Sequence, residues 1–393
     1  MNIDRIKNWA AEPLVAVEIA KEIEREYVKQ NRFLALAGTG NDRAIRLKTI
    51  KDLSPFRARM RAALRGKGVL GNTNIDTNLD KRNYFTTEIR PFEIGNGLVS
   101  NNLTYEKTQD IDFIKECTEE LPEWLGRETY KYIITSLTHD LTNVCVADAT
   151  NGFKKHNKGT SVEKACKECT KGDVLKVSTI RHAIKMAKNG DRFNGEPTFA
   201  IPPLAIRSTT KQGIEITQEQ YALFISSTQA EQLKADSEWK ELQKKNIDGE
   251  LNPLFTGLIG VIDNCVVVEL PEWNLSVDGG IITSDFSESE FKHYVTRTLG
   301  GVKEFKSNAM YKGKDTETCI GFLIGAGALQ YAASNDTKIV IERKDYDRKV
   351  GVAITKLLGV AKSRFENTNY EDDLMNAYND LDYGVIGIIS SKE

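Results

Sequence analysis

The sequence has almost no excess charge of either sign and no long apolar run. Its 393 residues contain 54 Lys and Arg against 56 Asp and Glu, which gives a formal net charge of −2. Proteins that clamp nucleic acid usually carry a basic excess, so sequence-specific DNA binding is disfavoured. No stretch approaches the ~18 consecutive apolar residues of a transmembrane helix, so no membrane span is expected. Residues 1–14 also lack the apolar segment of a secretory signal.

Cysteine is scarce and scattered. The six cysteines are Cys117, Cys145, Cys166, Cys169, Cys265 and Cys319. Spread over so long a chain, they do not resemble a disulfide framework and are typical of a reducing compartment. We therefore expect the chain to fold in a cytoplasm. The chain also lacks internal repeats and low-complexity segments.

The CxxC motif at Cys166 and Cys169 is half of a structural zinc site, which needs four ligands. His156 is close in sequence and His139 could join, but no second CxxC is present. A redox CxxC would need a strand-to-helix context that is not evident here. We interpret the pair as incidental thiols, with a structural zinc as the alternative, and predict no metal or cofactor.

Other enzyme signatures are weak. The segment Gly66–Gly71 reads GKGVLG, a formal GxGxxG, but it follows an Arg-alternating strand and no helical pattern follows it. A dinucleotide site needs a helix N-terminus at that place. Ser226-Ser227 lacks the GxSxG nucleophile elbow, and the four histidines have no nucleophile at a catalytic spacing. The sequence therefore predicts no enzymatic activity.

The segment Asn252–Leu270 reads NPLFTGLIGVIDNCVVVEL and carries the most specific pattern. Pro253 fixes its own φ and moves Asn252 out of the helical region, so the pair begins a turn. Gly257 and Gly260 lie among apolar residues and indicate tight bends. The β-branched run that ends the segment predicts a buried strand.

Two further blocks accompany this segment. Tyr221–Trp239 reads as a strand followed by a helix, and Cys319–Phe365 combines a Gly/Ala-rich stretch with a DYD turn and a basic end. The three blocks, in this order, closely resemble the major capsid proteins of tailed bacteriophages, which have the Hong Kong 97-type fold. One departure is Ser226-Ser227, where that family would have His-Pro. The motif residues expected to be structural are Asn252, Pro253, Phe255, Gly257, Gly260, Gly325, Asp345 and Asp347.

The resemblance implies a mixed α+β fold in four parts. These are an N-terminal arm (1–43), an extended β-hairpin loop (44–100), a peripheral domain with a long spine helix (101–173 and 341–393) and an axial domain (174–340). It also implies a coat protein that self-assembles through hexamers and pentamers into an icosahedral head around double-stranded DNA. The expected partners are scaffolding, portal and possible decoration proteins, with only non-specific contact to DNA. A cellular nanocompartment shell and, less favoured, a cytosolic nucleotide- or zinc-dependent enzyme are the alternatives.

The extended loop shows a clear two-stranded pattern. In Phe56–Leu64, arginines at every second position alternate with small or apolar residues, and Tyr84–Arg90 alternates in the same way. A lone two-stranded ribbon is marginal in water, so we expect it to lie on a neighbouring subunit. Its charged residues would pair across that interface, with a solvated face as the alternative. The expected interface residues are Arg57, Arg59, Arg61, Arg65, Lys67, Glu88 and Arg90.

Periodicity predicts the remaining elements. Apolar residues at helical spacing indicate helices over 13–31, 108–138, 174–190 and 229–244. Pro122 should kink or break the second of these near Glu120. Ser178 or Thr179 should cap the third, which should end at Gly190. Strands are expected at 198–200, 221–225 and 384–389.

Overall fold

The fold is described from a computed structural model over part of the chain. The described residues are 32–40, 42–61, 69–71, 74–76, 84–101, 113–195, 199–204, 206–211, 214–245, 258–270, 288–299, 304–335, 337–346, 348–366 and 376–393. The helix predicted over 13–31 lies outside them. Within the described ranges, no helix is both long enough and apolar enough to cross a membrane.

Both helices and strands are abundant, as expected for a mixed α+β fold. The strands are β1 (Ala37–Gly38), β2 (Ile45–Thr49), β3 (Phe56–Arg61), β4 (Tyr84–Ile89), β5 (Phe92–Val99), β6 (Val144–Asp148), β7 (Gly152–Phe153), β8 (Ile206–Lys211), β9 (Ile214–Glu219), β10 (Tyr221–Ser226), β11 (Leu258–Ile262), β12 (Cys265–Leu270), β13 (Thr318–Ile324), β14 (Leu329–Ala333), β15 (Lys338–Lys344), β16 (Lys349–Lys362) and β17 (Val385–Ser391). The helices are α1 (Phe113–Thr138), α2 (Val162–Lys167), α3 (Val177–Asn189), α4 (Ser227–Ala235), α5 (Ser237–Lys245) and α6 (Glu288–Thr298), with 3-10 turns at Arg32–Leu36 and Asn308–Tyr311.

A six-stranded sheet is organised around β16, the longest strand. β14 and β15 pair antiparallel with successive stretches of one edge of β16, and β5 pairs antiparallel with the other edge. β2 then adds parallel to β14, and β1 parallel to β2. Helices α1 and α6 pack against one face of this sheet, where the even-numbered apolar residues of β16 are buried.

A seven-stranded sheet has the order β11-β12-β10-β13-β17-β6-β7. The predicted strand at 221–225 is present as β10, and the predicted C-terminal strand as β17. β17 pairs antiparallel with β13 and parallel with β6. The sequence assigned β6 and β17 to the peripheral domain and β10 to the axial domain, yet all three share this sheet. The four-part division of the chain stays a proposal.

Helix α1 runs unbroken from Phe113 to Thr138 with Pro122 inside it. Of the predicted kink or break near Glu120, a break is therefore wrong. Leu121 and Leu125, on either side of the proline, are each 1% exposed. Their burial against the core holds the helix through the one backbone hydrogen bond that proline cannot donate.

The helix predicted over 229–244 is two helices. Asp236 separates α4 from α5 with an extended backbone (φ −63°, ψ 134°). Its carboxylate accepts the backbone N–H of Val177 at 2.9 Å and of Glu238 at 3.3 Å, so it caps α3 and α5 together. Neither Ser178 nor Thr179 is the N-cap of α3, because that helix begins after Lys176. The predicted end is confirmed, with Gly190 at φ 78°.

Candidate functional site

The β3–β4 ribbon has the two-stranded, two-faced pattern that the sequence predicts. Arg57 lies opposite Glu88, Met60 opposite Phe85 and Phe56 opposite Ile89. Opposite residues of an antiparallel pair share one face, so the ribbon has a charged face and a mainly apolar face. The alternation of the sequence was sufficient to find both.

The apolar face of the ribbon packs on the body of the same chain. Met60 and Phe85 are 0% and 2% exposed. The Phe85 ring lies 4.5 Å from that of Phe365, and Tyr378 and Tyr383 complete the cluster. The ribbon was expected to lie on a neighbouring subunit, but the apolar face of its described part is covered by its own chain. The covering residues come from about 300 positions later in the sequence, where local pattern gives no signal.

The charged face of the ribbon is exposed at its described arginines. Arg57 and Arg59 are exposed, and Arg61 occupies the last position of β3. Glu88 accepts hydrogen bonds from Arg90 at 2.8 Å and from Arg57 at 3.4 Å. The hydrogen bond from Arg90 lowers the pKa of Glu88, so this carboxylate is ionised at neutral pH.

The charged face keeps a positive surplus after this internal pairing. Four arginines (57, 59, 61 and 90) against the single Glu88 leave a formal charge of +3 over β3, β4 and the residue that follows β4. Arg65 and Lys67, also predicted for this surface, lie outside the described residues. The GxGxxG glycine Gly71 is described, with φ 63°, beside Leu70, which is 88% exposed.

A buried ion network holds the root of the ribbon. The Thr87 hydroxyl donates to the Arg364 carbonyl at 2.9 Å and accepts the Arg364 N–H at 3.1 Å. Arg364 then donates from Nε to Asp382 at 3.2 Å and from Nη1 to Asp140 at 2.9 Å. The network thus joins the ribbon, the end of β16, the end of α1 and the segment before β17.

Asp382 is the centre of this network. It is 0% exposed and accepts hydrogen bonds from Lys362 Nζ at 2.8 Å and from the Thr142 N–H at 2.8 Å. Burial opposes its ionisation, but Lys362 and Arg364 keep its pKa below the ordinary value. Burial lowers the pKa of Lys362 to about 8, so the pair is ionised at pH 7.

His139 and Asp140 close the network at the end of α1. The Lys306 N–H donates to His139 Nε2 at 3.0 Å, which fixes that nitrogen as the acceptor. Burial, together with Lys362 and Arg364, lowers the pKa of His139 to about 3, so the ring is neutral. Although burial raises the pKa of Asp140, Arg364 holds it well below the usual range.

A cleft of about 490 Å³ opens beside this network. It is lined by the ribbon root, the end of α1 and the end of β16, including Thr87, His139 and Arg364. Perturbed pKa values in a cleft suggest catalysis in some proteins, but buried ion pairs produce the same shifts. Here burial lowers the pKa of His139 and of Lys362, and pairing with Arg364 lowers that of Asp140, so a buried structural ion network explains these shifts without catalysis.

The sequence contained a signal for this network that the sequence analysis did not use. Lys362 and Arg364 continue the even-numbered positions of β16, which are inward-facing, as at Ile354 and Val360. Basic residues at inward positions need buried acidic partners. Which acids they would meet was not visible, because Asp140 is more than 200 positions away in sequence.

The structure describes three of the eight motif residues, Gly260, Gly325 and Asp345. A Cβ on Gly325 would meet the Pro202 carbonyl oxygen and the Ile201 side chain at 2.4 Å, so only glycine fits. Gly260 lies at an irregularity in the β11–β12 pairing. Asp345 has φ 54° in the β15–β16 turn and pairs with Arg348 at 2.7 Å. Asn252, Pro253, Phe255, Gly257 and Asp347 lie outside the described residues.

The CxxC cysteines lie at the end of α2 and are both 0% exposed. Burial raises the pKa of both thiols, that of Cys169 to about 12. His156 Nδ1 lies 3.5 Å from Glu168 Oε2. Among the described residues, no three Cys, His, Asp or Glu side chains converge as metal ligands.

Comparison with known proteins shows which family this chain belongs to. The family model described as "Phage capsid protein" matches residues 18–391. The chain belongs to the phage capsid protein family. The major structural protein ORF14 of Helicobacter pylori bacteriophage KHP30 is 34% identical to it, over 96% of this chain and 95% of that protein.

Solved phage structures agree with this assignment. The head structure of Helicobacter pylori bacteriophage KHP40 aligns with a TM-score of 0.76 and 33% identity, over 92% of each chain. The acidic stable capsid structure of bacteriophage KHP30 aligns with a TM-score of 0.73 and 32% identity, over 92% of this chain and 91% of that one. This capsid protein therefore has the Hong Kong 97-type fold, and its role in the phage head is structural, not enzymatic.

Proposed function

We propose that this phage capsid protein forms the closed icosahedral shell of a tailed-phage head around double-stranded DNA. We also propose that the charged face of the β3–β4 ribbon makes one of the contacts between its subunits. Shell formation follows from multivalency. Each contact between subunits is weak, but a subunit in a closed lattice engages several neighbours at once, so it leaves only when all contacts break together. Hexamers and pentamers arise from head-to-tail contacts that close by rotation.

The observation that carries the ribbon proposal is its asymmetry. One face is anchored on its own body through Met60 and Phe85, and the opposite face carries the exposed side chains of Arg57 and Arg59. A ribbon held on one side is pre-organised, so little conformational entropy is lost when its open face binds. The natural ligand is an acidic surface on an adjacent copy, paired through arginine forks.

The remaining assignments rest on the same family relationship. We assign scaffolding and portal proteins, and possible decoration proteins, as assembly partners of the shell. Subunits fold and assemble in the cytoplasm of the bacterial host. Contact with packaged DNA is non-specific, and the near-neutral net charge of −2 suits an inner surface that must not hold the genome tightly.

The test reverses the charged face. We expect Arg57→Glu/Arg59→Glu/Arg61→Glu to leave the subunit folded and to abolish shells, because the face changes from attractive to repulsive. A control variant changes three exposed lysines away from the ribbon, Lys155, Lys164 and Lys185, to Glu and gives the same change in net charge. Negative-stain microscopy after gradient sedimentation compares the yields of shells from the ribbon variant and from the control variant. Wild-type yield from the ribbon variant would mean that its arginines are merely solvated.

A further inference from the structure

The β8–β9 hairpin is a second ribbon, and the sequence analysis did not predict it. It lies directly before β10, and the Leu204 N–H donates to the Gln220 carbonyl at 2.8 Å, which closes its root. Its six residue pairs run without interruption from Ile206 opposite Glu219 to Lys211 opposite Ile214. Its backbone is therefore a regular two-stranded arm attached at one end to the seven-stranded sheet.

This hairpin lacks a packing partner within the described part of the chain. Neither strand is hydrogen-bonded to a third strand there, and β8 and β9 pack mainly on each other. The β3–β4 ribbon, by contrast, packs on β16 of the same chain. An isolated two-stranded ribbon is marginal in water, so a surface beyond the described part of the chain should support this one.

The charges of the hairpin divide by strand and by face. β8 carries Arg207 and Lys211 and no acid, whereas β9 carries Glu215 and Glu219 and no base. Alternate positions of a strand belong to opposite faces, and paired positions share a face. The register therefore assigns the two basic positions to one face and the two acidic positions to the other.

The spacing of the two basic positions matches that of the two acidic positions. Arg207 and Lys211 are four residues apart, as are Glu215 and Glu219. Counted from the root, Arg207 is one pairing step beyond Glu219, and Lys211 is one step beyond Glu215. If two copies lie side by side with their roots level, each basic position is within about 3.4 Å along the strand of an acidic position of its neighbour.

We propose that the β8–β9 hairpins of adjacent subunits stack face to face, the basic face of one against the acidic face of the next. This contact is head-to-tail, so it repeats around a rotational axis and closes a ring. Opposite charges on opposite faces cannot pair within one hairpin but are complementary between copies. The partner is therefore a second copy of this chain. The proposal rests on the proposed shell function.

A charge-swap experiment on the full chain tests the contact. The variants Arg207→Glu/Lys211→Glu and Glu215→Lys/Glu219→Lys each make both faces alike in charge. We expect each to raise the concentration needed for shell formation by at least about tenfold, since two attractive contacts become repulsive at every interface. The quadruple swap exchanges the two faces and should restore assembly. Normal assembly by either double variant alone, or failure of the quadruple swap, would overturn the proposal.

A cross-linking variant reports the contact without relying on shell closure. In Arg207→Cys/Glu219→Cys the two thiols occupy opposite faces of one hairpin, so a disulfide can form only between copies. The native cysteines are all buried and contribute little background. A mild thiol oxidant should give a ladder of covalent oligomers, and monomer alone would refute the contact. Absence of shells from the wild-type chain, with scaffolding supplied, would instead refute the proposed shell function while leaving the ladder interpretable.

Discussion

Replacement of Asp382 by Ala is predicted to remove much of the stability of the subunit. The side chain is completely buried, and it is the shared acceptor of Lys362 Nζ at 2.8 Å and Arg364 Nε at 3.2 Å. Without the Asp382 carboxylate, Lys362 keeps only two backbone carbonyls as hydrogen-bond acceptors, and Arg364 keeps Asp140 as its ion-pair partner. Removing one partner of a buried ion pair lowers the free energy of unfolding by about 3–5 kcal/mol. Domains are usually stable by only about 5–15 kcal/mol.

The matched control is Asp345→Ala, which also removes one carboxylate from an ion pair. Asp345 pairs with Arg348 at 2.7 Å, but both side chains are exposed, at 37% and 62%. Such a pair contributes about 0–1 kcal/mol. Urea denaturation of the unassembled subunit, followed by Trp fluorescence, measures both free energies of unfolding. Equal losses below about 1 kcal/mol in the two variants would refute the role assigned to the network.

The deficit of Asp382→Ala, meaning its loss of unfolding free energy relative to the wild type, should depend on pH and gives a second readout of the same variant. Without Asp382, the pKa of Lys362 falls below its wild-type value of about 8, because burial then acts with less opposition. A base whose pKa is lower in the folded state binds fewer protons there, so the stability of the folded state rises with pH in that window. The deficit should therefore narrow as pH rises toward 8. A constant deficit from pH 6 to 8 would contradict the buried-lysine explanation.

Three further predictions concern other parts of the fold. Phe85→Ala should destabilise the subunit by about 3–5 kcal/mol and free the β3–β4 ribbon, seen as faster hydrogen exchange of its amides. Gly325→Ala should cost at least about 1–3 kcal/mol in denaturation, because its Cβ would lie 2.4 Å from the Pro202 carbonyl oxygen. The pKa of His139 is about 3 in the folded state, against an ordinary value of 6.5. The unfolded chain therefore binds an extra proton between these values, and the free energy of unfolding should fall by about 1.4 kcal/mol for each pH unit below 6.5. His139→Gln should flatten that slope, and an unchanged slope would assign it to other groups.

The features that the sequence predicted are those with a local cause. Alternation identified both faces of the β3–β4 ribbon, and the left-handed Gly190 marked the end of α3. Pattern also identified β10 and β12, whose residues are apolar and β-branched. In each case the deciding residues lie within a few positions of one another, where periodicity and turn chemistry act.

The features that were missed depend on contacts between distant segments. The cover of the ribbon comes from Phe365 and Tyr378, and the cap of α3 comes from Asp236 on another element. Helix α1 continues through Pro122 because tertiary burial outweighs a local penalty. The β8–β9 hairpin was missed because its alternation is mostly polar and gives little hydrophobic signal.

Cryo-electron microscopy of particles formed by the expressed chain would show whether it closes a shell and what the β3–β4 ribbon contacts there. We expect closed shells built of fivefold and sixfold units, in which the side chains of Arg57 and Arg59 meet carboxylates of an adjacent copy. Shells in which this face of the ribbon points into solvent would contradict the proposed contact. A small discrete oligomer, with the charged face free, even after scaffolding is supplied, would contradict the proposal that this chain closes the shell.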